Sequence, residues 1–235
     1  MALLLAVTAA LLVVGRLGRR SGATTDEVRA RLPGDDLVPQ PMWTSTRAIT
    51  IEAAPADVWP WIVQMGYPSH RAGWYTPHRL DRLQWGIRER SSGQIRQDLQ
   101  RLEVGDRVPD SRDWSVYFTV AGVEPERALV LHSTRHLMRP LRAIDFSWAF
   151  VLEESATGAT RLVMRARVRG EPRAALVALT PLVGVGDVVN ASAMLRGIKV
   201  RVESARGPAG RRSAADTREP PASAARSTAR GRQSP

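Results

Sequence analysis

Four histidines are the side chains of this sequence best suited to binding a metal, and their spacing argues against a metal centre. His70 and His78 lie eight residues apart, and His132 and His136 lie four apart. Two histidines four apart share a face only on a helix. His132, however, ends an apolar, strand-like run, and His136 lies shortly before Pro140. With no HExxH motif and no histidine cluster, the sequence predicts no metal site.

The sequence also lacks the patterns of nucleophilic and dinucleotide chemistry. It contains no Cys, which excludes disulfides, thiolate nucleophiles and thiolate metal ligands. No GxSxG motif occurs, and Gly184 and Gly186 form a GxG without a third glycine after it. We therefore expect no cofactor.

Acid–base chemistry has more candidates, because it needs only titratable groups in a dry pocket. The candidates are His78, Asp81, Glu103, Asp106, His132 and Asp145. Asp81, in the segment WYTPHRLDRL, contacts a ligand, caps a helix, or pairs with Arg79 or Arg82. An enzymatic site would combine Asp81 or His132 with Tyr75 or Arg196.

Aromatic side chains supply candidates for the wall of a ligand cavity. Most tryptophans are expected in the core, because an indole buries a large area. Phe146, Trp148 and Phe150 alternate with smaller residues, so they share one face of a strand. We expect Trp148 to border a cavity that Trp74 and Tyr75 close from the helical side. The full set of cavity candidates is Trp74, Tyr75, Asp81, Phe118, His132, Phe146, Trp148, Phe150, Met164, Leu195 and Arg196.

Period-two alternation predicts an antiparallel sheet that holds these residues. Strands are expected at residues 46–52, 114–123 and 128–133, and two more flank a hairpin turn at Ser155–Ala159. The last strand places Leu162, Met164, Ala166 and Val168 on the inner face. Its outer face carries Arg161, Arg165, Arg167 and Arg169, which predicts a solvated, basic surface.

A long amphipathic helix is predicted after this sheet, from about Gly186 to Ala205. Val188, Ala191, Leu195, Ile198 and Val202 follow one another at spacings of three and four residues, so they form one apolar stripe. The stripe is expected to face the sheet.

The segment TRAITIEAAPADVWPWIVQMGYPSHRAGWYTPHRLDRL, Thr46 to Leu83, resembles the start of proteins of the SRPBCC, or START-like, superfamily. Its strand, its Pro-marked turn at Pro55, its helix at Ala56–Met65 and its Gly-aromatic segment follow the order seen in polyketide cyclase-like members. The resemblance implies an α+β helix-grip fold, in which a curved antiparallel sheet surrounds a C-terminal helix and leaves an apolar cavity. It covers residues 32–205, and places the domain at residues 44–206.

The first fifteen residues, MALLLAVTAALLVVG, carry no charged side chain and are followed by Arg16, Arg19 and Arg20. This pattern favours a single-pass membrane anchor within residues 1–20 whose basic flank and attached domain lie on the cytoplasmic side. A signal peptide cleaved near Ser21–Ala23, which gives a secreted protein, and a misassigned start codon, which gives a soluble cytoplasmic one, are the alternatives.

Residues 21–43 are predicted to form a short helix, with Thr25 as its N-cap, followed by a linker. The linker is either a solvated spacer or a strap on the domain. Residues 207–235 are rich in Arg, Ala, Pro and Ser, and their composition predicts disorder.

The net charge of +11 argues for an anionic partner of some kind, but its distribution disfavours specific nucleic-acid binding. Much of the excess lies in the C-terminal tail, and no nucleic-acid-binding motif accompanies it.

Three functions stay open: binding of a hydrophobic small molecule or lipid in an internal cavity, a polyketide cyclase- or dehydratase-like enzyme, and a non-catalytic module that docks on an anionic membrane or acidic partner.

Overall fold

The computed structural model describes residues 18–136 and 140–207, apart from the side chains of residues 181–183. The helices are α1 Thr25–Arg29, α2 Pro55–Val63, α3 His78–Trp85 and α4 Arg173–Ala205. The strands are β1 Trp43–Ile51, β2 Arg107–Pro109, β3 Tyr117–Glu124, β4 Ala128–Ser133, β5 Ala143–Glu154 and β6 Thr160–Glu171. A single 3-10 turn, Gln97–Leu99, precedes β2.

The six strands form one curved antiparallel sheet in the order β1-β6-β5-β4-β3-β2. The longest pair, β5 and β6, is joined by the hairpin predicted at Ser155–Ala159, which is confirmed. The Ser155 amide donates to the Ala159 carbonyl oxygen, and Gly158 has a φ of 75°, which its missing Cβ allows. The predicted α+β architecture, an antiparallel sheet with a long C-terminal helix, is also confirmed. The apolar helix predicted within residues 1–20 lies almost wholly outside the described residues.

The inner face of the sheet packs against α4. From the predicted stripe, Ala191, Leu195, Ile198 and Val202 are all buried, with at most 5% of their surface exposed, whereas Val188 is half-buried. They join Phe150, Leu152, Leu162 and Met164 of the sheet in the main core cluster. The stripe faces the sheet because it buries its apolar surface there against β5 and β6.

The outer face of the sheet is not the solvated basic surface that the sequence suggests. Residues 19–39, which we call the strap, lie across it. Arg165 is only 3% exposed, and its guanidinium donates to the carbonyl oxygens of Glu27 (2.6 Å) and Ala30 (2.7 Å) and to the Asp35 carboxylate (2.8 Å). Arg161 pairs with Glu27 at 2.6 Å. The linker is therefore a strap whose acidic side chains pair with Arg161, Arg165 and Arg167, and the solvated-spacer interpretation was wrong. Arg169 stays exposed.

Local chemistry fixes the start of the strap. The N-cap of α1 is Thr24, not Thr25: its hydroxyl accepts from the Glu27 amide, and the Glu27 carboxylate accepts from the Thr24 amide. This reciprocal pair is a capping box. Before it, the carbonyl oxygens of Arg19 and Ser21 accept from the amides of Thr46 and Ala48 in the edge strand β1. These bonds satisfy part of an otherwise open sheet edge.

Within residues 18–136 and 140–207, no one helix has both the length and the apolar character needed to cross a membrane. Only the two segments of α4, Arg173–Thr180 and Gly184–Ala205, which are inclined at 64°, reach that length and composition together. The sequence between these two segments contains Pro181, and a proline lacks the amide N–H that a continuous helix requires.

Candidate functional site

Four aromatic rings meet on the inner face of the sheet, and we call Trp74, Phe118, Phe146 and Trp148 the aromatic cluster. Alternation along β5 places Phe146 and Trp148 on this face, and register pairs Trp148 with Leu131 of β4. The ring centroid of Phe118 lies 5.2 Å from that of Phe146 and 5.5 Å from that of Trp148. Phe118 is buried, whereas the other three rings are half-buried.

Trp74 reaches the cluster from the segment between α2 and α3, as the sequence suggested. Its ring centroid lies 5.2 Å from that of Trp148 and 6.1 Å from that of Phe118. Gly73, with a φ of 87°, forms an antiparallel bridge with Gly66 that turns the chain before Trp74. The indole N–H groups of Trp74 and Trp148 are buried and have no hydrogen-bond partner among the described residues. Buried indole N–H groups usually find one.

Tyr75 lies beside the cluster but is a structural anchor. It is only 1% exposed, its hydroxyl donates to the Trp61 carbonyl oxygen at 3.0 Å, and it accepts from the Gln64 amide at 2.8 Å. Burial raises the pKa of its phenol well above the ordinary range. Because the Tyr75 hydroxyl already donates one hydrogen bond and accepts another within the protein, its proton is not available to a ligand.

His136 borders the aromatic cluster, and sequence reasoning did not select it as a site residue. Its ring centroid lies 4.3 Å from that of Phe118 and 5.5 Å from that of Phe146. Its Nε2 lies 3.0 Å from the Asp110 carboxylate, and its Nδ1 lies 2.8 Å from the Ser133 hydroxyl. The cluster therefore has a titratable pair, His136 and Asp110, at its edge.

The hydrogen-bond directions around Ser133 do not create a nucleophile. The Ser133 hydroxyl donates its proton to the Tyr117 carbonyl oxygen at 2.6 Å, so its oxygen accepts from Nδ1–H of His136. The histidine thus donates to the serine instead of taking its proton. A serine nucleophile requires the opposite arrangement.

Three predicted site residues lie away from the cluster. His132 pairs in register with Ser147, whose neighbours Phe146 and Trp148 point inward, so His132 lies on the outer face, where it meets Asp145 at 2.5 Å. Arg196 is on the exposed side of α4. Asp81 is buried in the first turn of α3 and accepts from the Thr76 hydroxyl; burial raises the pKa of its carboxyl, and that bond opposes the rise.

The remaining predicted residues, Phe150, Met164 and Leu195, are fully enclosed in the main core cluster. Of these, Phe150 reaches the aromatic cluster, with its ring centroid 5.0 Å from that of Trp148. Met164 and Leu195 lie behind it, between the sheet and α4. Their side chains belong to the core and do not border the partly exposed side of the aromatic cluster.

An ionic pair on the inner face was also missed. Arg47, on β1, has no exposed surface, and its guanidinium pairs with the Asp187 carboxylate on α4. It also donates to the Ser45 hydroxyl at 3.0 Å. Burial raises the pKa of Asp187, and the charge of Arg47 opposes this rise. The sequence signal was present, because Trp43, Ser45 and Arg47 continue the alternation of Ile49 and Ile51.

Two clefts lie on the other side of the sheet, beneath the strap. One, of about 210 Å³, lies between Pro33–Leu37 of the strap and the outer residues of β3 and β4. The other, of about 450 Å³, is lined by strap residues together with Arg165 and Arg167. In the part of the chain that the structure describes, no three His, Asp or Glu side chains are grouped as a metal site would require.

Comparison with known proteins finds resemblances of fold only. No protein-family model and no curated protein matches the chain. Among solved structures, a hypothetical protein, jhp0584 from Helicobacter pylori, has 16% identity and a TM-score of 0.48 over 72% of this chain and 94% of that one. Protein MLL2253 from Mesorhizobium loti has 18% identity and a TM-score of 0.43 over 69% and 98%. The di-domain ARO/CYC BexL has 13% identity and a TM-score of 0.45 over 71% and 48%.

Proposed function

We propose that the protein binds a hydrophobic small molecule or lipid between the inner face of its sheet and α4. The observation that carries this proposal is the aromatic cluster, in which two buried indole N–H groups lack partners among the described residues. An apolar ligand against these rings gains about 25 cal/mol for each Å² of apolar surface removed from water. The indole N–H groups supply the few polar contacts that orient a ligand in such a site.

Access to the cluster follows from the exposure of its rings. Trp74, Phe146 and Trp148 are half-buried, so the cluster reaches the surface on the side that Trp74 covers. The described side chains fill the space between the rings, with centroids 5 to 6 Å apart. Binding therefore includes a displacement of the Trp74 segment, and Trp74 acts as the cover of the site.

Binding of phenylnaphthylamine, an uncharged probe that fluoresces in apolar surroundings, tests the proposal. We expect the full chain to bind it, with probe emission excited through tryptophan. Trp148→Ala should weaken binding at least several-fold, because it removes a central ring. Trp85→Ala is the matched control, since Trp85 is 65% exposed on α3 and should leave binding unchanged. No probe binding by the native protein, or equal loss in both variants, would contradict the proposal.

A second candidate function, a cyclase- or dehydratase-like enzyme, is favoured by one observation: the His136–Asp110 pair borders the aromatic cluster. In this function, an α-carbon of the substrate gives its proton to the Asp110 carboxylate and attacks a carbonyl carbon, and His136 donates a proton to the oxygen of that carbonyl group. The hydroxyl group formed then leaves as water together with a neighbouring α-proton. The test is incubation with a linear poly-β-ketone thioester and mass spectrometry for loss of water. Conversion by the native protein but not by His136→Asn supports it, and a rate equal to that in buffer excludes this reaction.

A further inference from the structure

Arg47 is the feature of the interior that the proposed function does not use. It has no exposed surface, and register places it in a row with Met164 and Phe150, which are also fully buried. Its Nη1 donates to Ser45 and its Nη2 pairs with Asp187, but its Nε–H has no hydrogen-bond partner among the described residues. A buried charged group with an unused donor is costly.

A second arginine, Arg19, lies near Arg47 and its partner Asp187. Asp187 is the carboxylate that pairs with Arg47, and Arg19 lies close enough to the same carboxylate to act on it electrostatically. The guanidinium of Arg19 also lies 5.9 Å from the ring centroid of Trp43. The Asp187 carboxylate thus lies near two guanidinium groups, and the Nε–H of Arg47 is the donor that remains for an anionic group of a ligand.

The side chains between Arg47 and the aromatic cluster are small. Ser45, Ala166 and Trp148 form one row across β1, β6 and β5 on the inner face. Because neighbouring strands lie about 4.8 Å apart, Ser45 is about 10 Å from Trp148 with only the Ala166 methyl group between them. On α4, Gly186 directly precedes Asp187, the partner of Arg47, and a Cβ at Gly186 would meet no atom within 4 Å.

The same row separates the two core clusters. Leu176 and Leu179 from the first part of α4 pack with Trp43 and Ala166, whereas Leu195 and Ile198 from its second part pack with Phe150 and Met164. Asp187 lies between these parts of α4. The polar groups are therefore placed where the packing of the helix on the sheet changes from one cluster to the other.

We propose that the ligand is amphipathic, and that Arg47 binds an oxyanion on it, such as a carboxylate or sulfonate, while its apolar rings take the place of Leu176 over Ala166 and lie against Trp148. This inference rests on the proposed function and adds the chemical class of its ligand. The unused Nε–H donates to the oxyanion, and Nη2 turns from Asp187 to it. A guanidinium offers two parallel N–H donors to such a group, which adds geometric selectivity to the charge.

A pair of probes that differ only in the anionic group tests this inference. Anilinonaphthalene sulfonate carries a sulfonate that phenylnaphthylamine lacks. Both are titrated into the full chain, and probe emission excited through tryptophan is measured against a protein-free blank. We expect the native protein to bind the sulfonate at least about tenfold more tightly, as for a hydrogen bond to a charged group.

Two variants separate the role of Arg47 from general effects on folding. Arg47→Met combined with Asp187→Asn removes both charges, so it should abolish the preference for the sulfonate and leave affinity for phenylnaphthylamine unchanged. Asp187→Asn alone keeps Arg47 and removes its competing anion, so it should increase the preference by several-fold. Loss of folding would not shift the preference for the sulfonate in opposite directions in the two variants. Circular dichroism checks the fold of each variant independently.

Each outcome decides between the two proposals. If phenylnaphthylamine binds but the sulfonate is not preferred, or if the preference is the same in all three proteins, the role of Arg47 is refuted and the apolar site stands. If neither probe binds the native protein, both proposals fail. If the double variant loses both probes equally while it stays folded, Arg47 supports the structure only.

Discussion

At the scale of single residues, Gly197 shows how a missing side chain positions the cover of the site. A Cβ at Gly197 would lie 1.9 Å from the carbonyl oxygen of Tyr75, so α4 approaches the Trp74 segment closely only because residue 197 is glycine. Tyr75 itself has a φ of 62°, a left-handed conformation that few non-glycine residues adopt. The guanidinium of Arg201 lies 4.7 Å from its ring centroid. Tyr75 and α4 therefore fix the backbone next to Trp74.

Substitution of two glycines on the same helix tests this contact. Gly197→Ala should lower the free energy of unfolding by about 1–3 kcal/mol, because backbone atoms must shift to admit the methyl group. Gly186→Ala should raise it by up to about 1 kcal/mol, since open space surrounds that position and alanine favours the helix. Urea denaturation of both variants measures the difference. Equal effects at the two positions would contradict the close contact.

At the residue level, alternation along the strands located aromatic side chains better than it located charged ones. Trp74, Phe118, Phe146 and Trp148 were assigned to a cavity wall from their alternation and flanking glycines, and they do meet. Arg47 was missed, although it shares the alternation of Ile49 and Ile51, because a charge on an apolar face was not expected to point inward. Asp187 lies four residues before Ala191, so it continues the helical spacing of the stripe on α4. The stripe was predicted from its apolar members alone.

At the scale of elements, α4 was the most predictable part. Its apolar stripe is set by residues three and four positions apart, so it can be identified from the sequence without knowledge of the sheet on which it packs. Leu195→Ala should lower the free energy of unfolding by about 2–5 kcal/mol, as expected when a buried leucine leaves a cavity. Val200→Ala on the same helix is the control, because Val200 is 61% exposed, and should change it by less than about 0.5 kcal/mol. A loss at Leu195 as small as that at Val200 would contradict its burial.

The strap was the least predictable element, because its contacts join residues about 130 positions apart in sequence. Nothing local in residues 21–43 indicates that Arg165 will be buried under them. Alternation alone assigned the arginines of β6 to solvent, and it correctly placed them on the outer face. The groups that pair with these arginines lie in the strap, which has little regular structure. No periodic sequence pattern therefore predicts them.

Acid pH should loosen the strap through Glu27. The hydrogen bond from Arg161 lowers the pKa of Glu27 below its ordinary value of 4.5. The contribution of this carboxylate to stability is therefore complete above pH 4.5 and is lost as the pH falls through its lower folded-state pKa. We expect the free energy of unfolding of Glu27→Gln to depend less on pH below 4.5 than that of the native protein.

Denaturation series between neutral and acid pH measure this dependence. Asp26→Asn is the matched control, because Asp26 is the exposed neighbour in the same helix turn. Burial raises the pKa of Asp187, which gives a contribution of opposite sign, but this contribution cancels when each variant is compared with the native protein. Parallel curves for Glu27→Gln and the native protein would show that Glu27 does not hold the strap.

At the scale of the whole molecule, the chain leaves the folded body beside the proposed ligand site. The backbone at Gly18 lies against Val188 of α4, where a Cβ would approach the valine side chain at 2.2 Å. Residues 19–21 follow along β1. Cleavage near Ser21–Ala23 would remove the carbonyl oxygens that accept from Thr46 and Ala48, and it would open the edge of the sheet.

We propose that the apolar segment within residues 1–20, Met1 to about Leu17, anchors the protein in a membrane, with the folded body on the cytoplasmic side. Because Gly18 contacts α4, the body begins directly after this segment, and an amphipathic ligand has a short path between lipid and site. Leu11→Arg should move the protein from the membrane to the soluble fraction, since a charge in the centre of a span costs about 2.5–3.5 kcal/mol. Leu11→Ala should stay in the membrane fraction.

Protease added to sealed cells should leave the body intact. Its digestion there would reverse the orientation, and a soluble protein that lacks residues 1–23 would identify the segment as a cleaved signal peptide.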